Sequence, residues 1–222
     1  DGTILRSITY VKDSGVPILG INAGRLGFLT SVQKENIGKA VNKIKDNKFT
    51  IIDRTLLEVN SYSASKLFSY ALNEVTIQRK DTTSLLNISC SINGNYLTNY
   101  WSDGLIISTP TGSTGYSLSN GGSVVSPESK VIILNPIAPH NINMRSLIIP
   151  DDSEVKIQVD GTDNINLSLD SRMYSFESKN EIQISKSKFT IKTIKLDDDN
   201  FYKRLREKLF WGQDMRNNKI SD

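Results

Sequence analysis

The sequence predicts an α/β segment, then an all-β, sandwich-like domain, then a closing helix. Three observations carry this reading. Residues 1–48 alternate helix-period and buried-strand patterns, residues 49–196 hold many short strands joined by Gly, Asn and Asp turns, and residues 197–222 open with a capping run ahead of an amphipathic pattern.

In chain order, Thr3–Asp13 sets Ile4, Leu5, Ile8 and Val11 at helical spacing, and Gly15 ends that helix. Val16–Ile21 is a short apolar run between turn residues and reads as a buried strand; Asn22–Gly27 reads as a loop. Glu35–Asp46 is a second helix carrying Ile37, Val41 and Ile44. Helix, strand, loop and helix suit the tail of a parallel-sheet domain.

From about Phe49 the pattern turns to strands. Tyr70–Gln78 reads as one strand, and Leu85–Ile92 alternates Ile88, Cys90 and Ile92 against Asn87, Ser89 and Ser91. Asn93-Gly94 then signals a hairpin. Leu105–Ser108, Val131–Ile137, Leu147–Ile149, Val155–Val159 and Ile165–Asp170 follow, and Glu181–Leu196 reads as one long half-solvated strand. Asp197-Asp198-Asp199-Asn200 caps a helix over Phe201–Gly212, a better account of those acids than a metal site.

The chain has 222 residues, enough for a real core. Its net charge of +3 is too mild to argue for nucleic acid and suits an anionic small ligand. A single cysteine, Cys90, forbids an intrachain disulfide and fits a reducing compartment. No run has the length of a membrane span, no signal peptide is visible, and cytoplasm is the expected location. The opening Asp1-Gly2-Thr3-Ile4-Leu5 has no Met and no strand before its glycine turn, so the chain reads as a fragment.

The richest stretch chemically is Asp103–Gly122, where an acidic turn and a short strand lead into a run of hydroxyls and glycines. Glycines let a backbone approach a ligand, and successive N–H groups and hydroxyls donate to anionic oxygens. Asp1-Gly2-Thr3 opens a helix whose first N–H groups suit an anion, and its carboxylate is either a general base or an N-cap. Asn73-Glu74 lies mid-strand with its side chains on opposite faces; ligand binding and a solvated edge fit equally. His140, the only histidine, has no Cys/His companions and reads as a structural hydrogen-bonding residue rather than a zinc ligand or triad member. The P-loop signature is absent.

Together these segments resemble the NAD kinase family. Asp1-Gly2-Thr3-Ile4-Leu5 is similar to the end of its Gly-Gly-Asp-Gly-Thr motif. Pro17–Leu29, Asn73-Glu74, Asp103–Gly122 and Pro136–His140 with Arg145 resemble four further motifs, in order and at fitting spacing. The resemblance implies a Rossmann-like N-terminal domain over residues 1–48, a β-rich NAD-binding domain over 49–196, and a C-terminal helix at 197–222 packing back on the first. It implies transfer of the γ-phosphoryl group of ATP to the 2′-hydroxyl of the adenosine ribose of NAD, aided by Mg²⁺ or another divalent cation. It also implies a homodimer or homotetramer acting on small molecules, with no nucleic-acid or membrane partner.

By matching position, Asp1 would be the base, Gly2 would present its backbone beside it, and Arg6 would face a phosphate. Asn73 and Glu74 would hold the adenosine half of NAD, and Asp103 would lie towards the nicotinamide. Thr114, Gly115, Tyr116, Ser117, Leu118 and Ser119 would wrap the dinucleotide, and Ala138 would line the same site. Three positions depart from the family pattern. Trp101 stands where many members have Arg, Gly115 where Ala is usual, and Arg172, in Asp170-Ser171-Arg172, where Gln is common; Arg172 is expected to meet a phosphate. Two glycines normally precede the Asp1 position, so a chain that starts at Asp1 is expected to show little kinase activity. A diacylglycerol- or sphingosine-type lipid kinase, and a nucleotide-binding module without catalysis, are the alternatives.

Overall fold

The computed structural model of the protein describes residues 1–24, 27–60, 68–80, 83–160, 164–177, 180–197 and 200–212. In chain order its elements are α1 (Gly2–Val11), β1 (Ile21–Asn22), β2 (Val32–Gln33), α2 (Ile37–Lys45), β3 (Phe49–Arg54), β4 (Leu57–Asn60), β5 (Tyr70–Ala71), β6 (Glu74–Arg79), β7 (Leu86–Ile92), β8 (Asn95–Ser102) and β9 (Gly104–Ser108). There follow α3 (Tyr116–Ser119), β10 (Val131–Ile137), β11 (Leu147–Pro150), β12 (Val155–Val159), β13 (Asn164–Leu169), β14 (Arg172–Glu177), β15 (Ile182–Lys186), β16 (Ile191–Leu196) and α4 (Phe201–Leu209).

The chain divides into two compact units, one of Asp1, Ile18–Ile52 and 193–212, the other of Gly2–Pro17 and Asp53–Lys192. The first is the α/β part: β1 and β2 pair in parallel, and Val32, Ala40 and Leu196 form its core with Leu19, Ile44 and Phe49 against them. The amphipathic α4 belongs to this unit, and the ammonium of its Lys208 lies 4.3 Å from the centre of the Phe28 ring. Asn200 caps α4, its Oδ1 accepting from the N–H groups of Tyr202 and Lys203 at 2.9 and 3.4 Å. Of the acidic run before this cap, Asp198 and Asp199 lie outside the described residues, as do Arg25 and Leu26 of the Asn22–Gly27 loop.

The second unit is an antiparallel sandwich. One sheet has the order β11-β10-β9-β6-β13-β14 and the other β5-β4-β15-β12-β7-β8. Alternate residues of the two facing surfaces make one core, with Val75, Leu105, Ile107 and Leu134 from the first sheet meeting Ile88, Val155, Ile157 and Ile184 from the second. Each such side chain contributes roughly 1.5–3 kcal/mol on burial. Strands β9 and β10 are buried on both faces, which is why Leu105–Ile107 and Val131–Leu134 read as apolar runs. The Asn93-Gly94 signal is fulfilled: both residues have positive φ (51° and 77°) in the two-residue turn from β7 to β8.

Four expectations need correction. Val16–Ile21 makes only an isolated parallel bridge, Ile18 to Thr193, before the two-residue β1, because Pro17 lacks an N–H donor for a ladder. The Glu35–Asp46 helix begins as a 3₁₀ turn over Lys34–Asn36. Glu181–Leu196 is two strands: at Ser187 the hydroxyl accepts from the Phe189 N–H at 3.2 Å, turning the chain, and β16 then pairs with β3. Tyr70–Gln78 is broken at Leu72-Asn73, so Asn73 is not mid-strand. Strands β2, β3, β4, β8 and β14 were not assigned individually from the sequence. No helix among the described residues is long and apolar enough to cross a membrane.

Candidate functional site

The break between β5 and β6 is the centre of the site. It is held by Asp170, the first residue of the two-residue turn from β13 to β14, where Leu169 pairs with Arg172. Asp170 takes a left-handed φ of 53°, a conformation Asp tolerates better than most residues. Its carboxylate accepts the N–H groups of Leu72, Asn73 and Glu74 at 3.0, 2.7 and 3.4 Å, and its own N–H donates to the Glu74 carbonyl at 2.9 Å. Burial pushes the Asp170 carboxyl up; the three N–H groups and the nearby Arg172 guanidinium pull the other way.

The other wall is the segment after β9. The Thr109 N–H donates to the Asn73 carbonyl at 2.9 Å, and its hydroxyl to the Leu72 carbonyl at 2.6 Å. A β-carbon at Gly112 would lie 2.1 Å from the Asn73 carbonyl oxygen, so only glycine lets these backbones meet. At Gly115 a β-carbon would lie 3.0 Å from Glu74 Oε2 and 3.3 Å from Asn73 Nδ2, which places this peptide directly over the Asn-Glu pair. Thr111–Thr114 form a 3₁₀ turn and α3 follows, so the run of hydroxyls and glycines is largely helical turns.

Two acceptors in this wall have no hydrogen-bond partner among the described residues: Asn73 Oδ1 and Glu74 Oε2, both buried. The Glu74 carboxyl is pushed up to about 7, first by burial and then by the Asp170 charge, with the Tyr116 N–H opposing. Buried polar groups without partners are rare, and two side by side suit a site closed by a ligand. The arrangement can both accept from a hydroxyl or amine and, with Glu74 protonated, donate to one.

The expected residues fall as follows. Thr114 and Gly115 are half-buried beside the pair, and Tyr116 and Ser119 are exposed on α3. The Tyr116 hydroxyl accepts from Gln78 Nε2 at 2.8 Å, so its side chain is turned towards the Gln78 end of β6. Leu118 is half-buried. Ser117 is buried the other way: its carbonyl accepts from Asn135 Nδ2 at 3.0 Å, and a β-carbon on Gly122 would sit 2.2 Å from its hydroxyl. The hydroxyls of Ser108, Thr109 and Ser113 likewise bond backbone groups, so they build the wall rather than face a ligand.

At the far end of β6, Asp103 pairs with Arg79 at 3.2 Å, and its N–H donates to the Ile137 carbonyl at 2.9 Å, next to Ala138 with its φ of 43°. The neighbouring Trp101 is exposed, and its carbonyl accepts the His140 N–H at 2.8 Å. Arg172 was expected at a phosphate; its Nη1 instead donates to the Phe68 carbonyl at 2.8 Å, its Nη2 to the Tyr70 carbonyl, and it lies 3.6 Å from Asp170. Gly2 begins α1, where a β-carbon would meet nothing, and Arg6 is exposed on that helix with no ion pair among the described residues. Asp1 belongs to the α/β unit. Its carboxylate accepts from the N–H groups of Phe28 and Leu29 at 2.6 and 3.1 Å, and a β-carbon on Gly27 would collide with it.

Sequence reasoning missed Asp170, Arg79 and Asn135 as organisers of the site. Asn135 carried a signal, an amide inside the apolar run Val131–Ile137, where burial demands partners. Asp170-Ser171 between two alternating runs was a turn signal for the unassigned β14.

Comparison with known proteins adds the following. Residues 1–49 match the ATP-NAD kinase N-terminal domain and residues 72–196 the ATP-NAD kinase C-terminal domain. An NAD kinase of Flavobacterium psychrophilum is 51% identical over 98% of this chain, and one of Flavobacterium johnsoniae 49% over 98%; the chain spans 75% of each. Among solved structures, yeast NADH kinase complexed with NADH superposes with a TM-score of 0.88 at 30% identity, covering 99% of this chain and 66% of that one. An NAD kinase from Archaeoglobus fulgidus in complex with ATP gives 0.79 at 28% identity, covering 95% of this chain and 78% of that one.

Proposed function

The chain belongs to the NAD kinase family, and on that premise we propose how its residues carry the family's phosphotransfer. The reaction moves the γ-phosphoryl group of ATP to the 2′-hydroxyl of the adenosine ribose of NAD, giving NADP and ADP. Such transfers need little covalent help from the protein and depend on positioning and charge neutralisation.

The observation that carries the site assignment is the pair of unpartnered buried acceptors, Asn73 Oδ1 and Glu74 Oε2. In this reading they take the adenosine half of NAD. Thr114, Gly115, Tyr116, Leu118 and Ser119 cover it, Ser117 supports that cover from behind, and Asp103 and Ala138 lie towards the nicotinamide. Asp1 accepts the proton of the 2′-hydroxyl as the O–P bond forms and the bond to ADP breaks. The Phe28 and Leu29 N–H groups fix its carboxylate for that task. Gly2 offers a backbone N–H and Arg6 a cation to phosphate.

A divalent cation riding on the triphosphate belongs to the same reading, supplying charge neutralisation. No three His, Cys, Asp or Glu gather into a metal site among the described residues. Its ligands would therefore be phosphate oxygens and water, and no step above is routed through it. The protein is read as cytoplasmic and as a homodimer or homotetramer; Tyr96, Leu97 and Trp101, exposed on the edge strand β8, support association.

The test combines calorimetry with NAD and an assay of NADP formation from NAD and ATP, beside the same assay with diacylglycerol. NAD binding that weakens on Asn73→Ala is expected, and whatever NADP the chain forms is expected to fall with it. Phosphorylated lipid without NADP would favour the lipid-kinase alternative, and NAD binding without turnover the non-catalytic one.

A further inference from the structure

Arg172 begins β14, the edge of one sheet, while Phe68 and Tyr70 lead into β5, the edge of the other. The guanidinium therefore spans the two sheets at the end of the sandwich where the Asn73 turn lies. Its Nη1 and Nη2 are used on the Phe68 and Tyr70 carbonyls, and its carbon centre stacks 4.9 Å from the middle of the Phe68 ring. Phe68 packs edge-on against Tyr70, and Tyr70 against Phe189, so the cation sits in an aromatic frame rather than in solvent. Only a planar fork with several donors can bridge two carbonyls and still face a carboxylate.

That carboxylate is Asp170, with a side chain only 1% exposed, 3.6 Å from Nη2. Asp170 in turn holds the N–H groups of Leu72, Asn73 and Glu74. One guanidinium thus fixes the approach to the turn, through two carbonyls, and the anion that pins the turn itself. A buried carboxylate without a compensating cation is costly and tends to take up a proton. Protonated, Asp170 would lose the charge assistance of its three contacts, and Asn73 and Glu74 would lose their fixed aim.

We propose that Arg172 is a positioning residue for NAD: it meets no substrate phosphate and acts through Asp170 and the Phe68 and Tyr70 carbonyls to set the Asn73-Glu74 pair. This rests on the reading of that pair as the NAD site. It predicts a selective effect, on the acceptor and not the donor. It also predicts a pH signature, since the groups facing Asp170 are Arg172 as cation and Glu74 as a second acid. Removing the cation moves the protonation of Asp170 upward, so the acidic limb of NAD affinity moves to higher pH.

The experiment measures NAD affinity by calorimetry from pH 5 to 8, and KM for NAD and for ATP, in wild type, Arg172→Gln and Arg172→Lys, with melting curves to show that each is folded. Arg172→Gln is expected to weaken NAD about tenfold, equivalent to about 1.4 kcal/mol, to leave the ATP KM within about twofold, and to shift the acidic limb upward. Arg172→Lys keeps a cation near Asp170 without the fork, and is expected to retain the acidic limb while weakening NAD by a smaller factor. If Arg172→Gln does not fold, the Lys variant alone is read: an unchanged NAD affinity there overturns the proposal. A folded Arg172→Gln with unchanged NAD affinity and acidic limb overturns it, as does a rise in the ATP KM alone. Wild-type protein that fails to bind NAD overturns the reading of the site itself, a result distinct from any change among the variants.

Discussion

The N–H of Asn73 donates to the carboxylate of Asp170 at 2.7 Å, across a separation of 97 residues. The acid that fixes the turn is supplied by a distant hairpin, so the turn's own sequence does not contain its anchor. Asp170→Asn keeps the shape but removes the charge behind three hydrogen bonds. A loss of about 1–3 kcal/mol is expected, seen as NAD binding weaker by roughly 5- to 150-fold in calorimetry. Unchanged affinity would show that the turn keeps its shape unaided.

Glu74 gives a pH dependence of definite sign. Its folded pKa is raised, from 4.5 to about 7, by burial and the Asp170 charge. The stability it contributes is therefore fully present below pH 4.5 and is lost as pH rises through about 7. The span of about 2.5 units corresponds to at most about 3 kcal/mol. Glu74→Gln, which cannot ionise, should flatten the fall in melting temperature between pH 5 and 8. Equal slopes in both proteins would refute the assignment.

Two glycine-to-alanine changes should act in opposite directions. At Gly112 the new methyl meets the Asn73 carbonyl at 2.1 Å, against backbone that cannot yield cheaply. Overpacking of about 1–3 kcal/mol is expected, with a drop of several degrees in melting temperature and weaker NAD binding. At Gly38 in α2 a β-carbon meets nothing within 4 Å. There alanine should stabilise by up to about 1 kcal/mol through helix propensity, with NAD binding unaltered.

Asn200→Ala removes the side-chain cap of α4 and should cost about 1 kcal/mol. Thermal melting reads this directly. NAD affinity measured alongside should not move, because Asn200 contributes only to the α/β unit.

The sandwich was legible because its strands follow local rules. Leu86, Ile88 and Cys90 alternate inward, Asn93-Gly94 turns as its chemistry requires, and Val131–Ile137 coincides with β10. The site was legible as a set of residue types but not as geometry. Nothing local to Ser117 distinguishes a hydroxyl aimed at a ligand from one turned towards Asn135, because Asn135 arrives from a different strand. The surroundings of Arg172 were hidden for the same reason, since the carbonyls that engage it belong to Phe68 and Tyr70, over a hundred positions earlier. The break at Leu72-Asn73 was hidden because the groups that fix it, the Asp170 carboxylate and the Thr109 N–H and hydroxyl, come from distant parts of the chain.

The pairing of Asp170 with the Asn73 turn also bears on the order of assembly. Its contacts need β13 laid against β6, a register in which Leu169 meets Val75 from far along the chain. Long-range β pairing is slow because loop closure must precede the contacts that reward it. The wall around the Asn73 turn is therefore expected to form late in folding. Bound NAD should slow the unfolding of the sandwich much more than it speeds its formation.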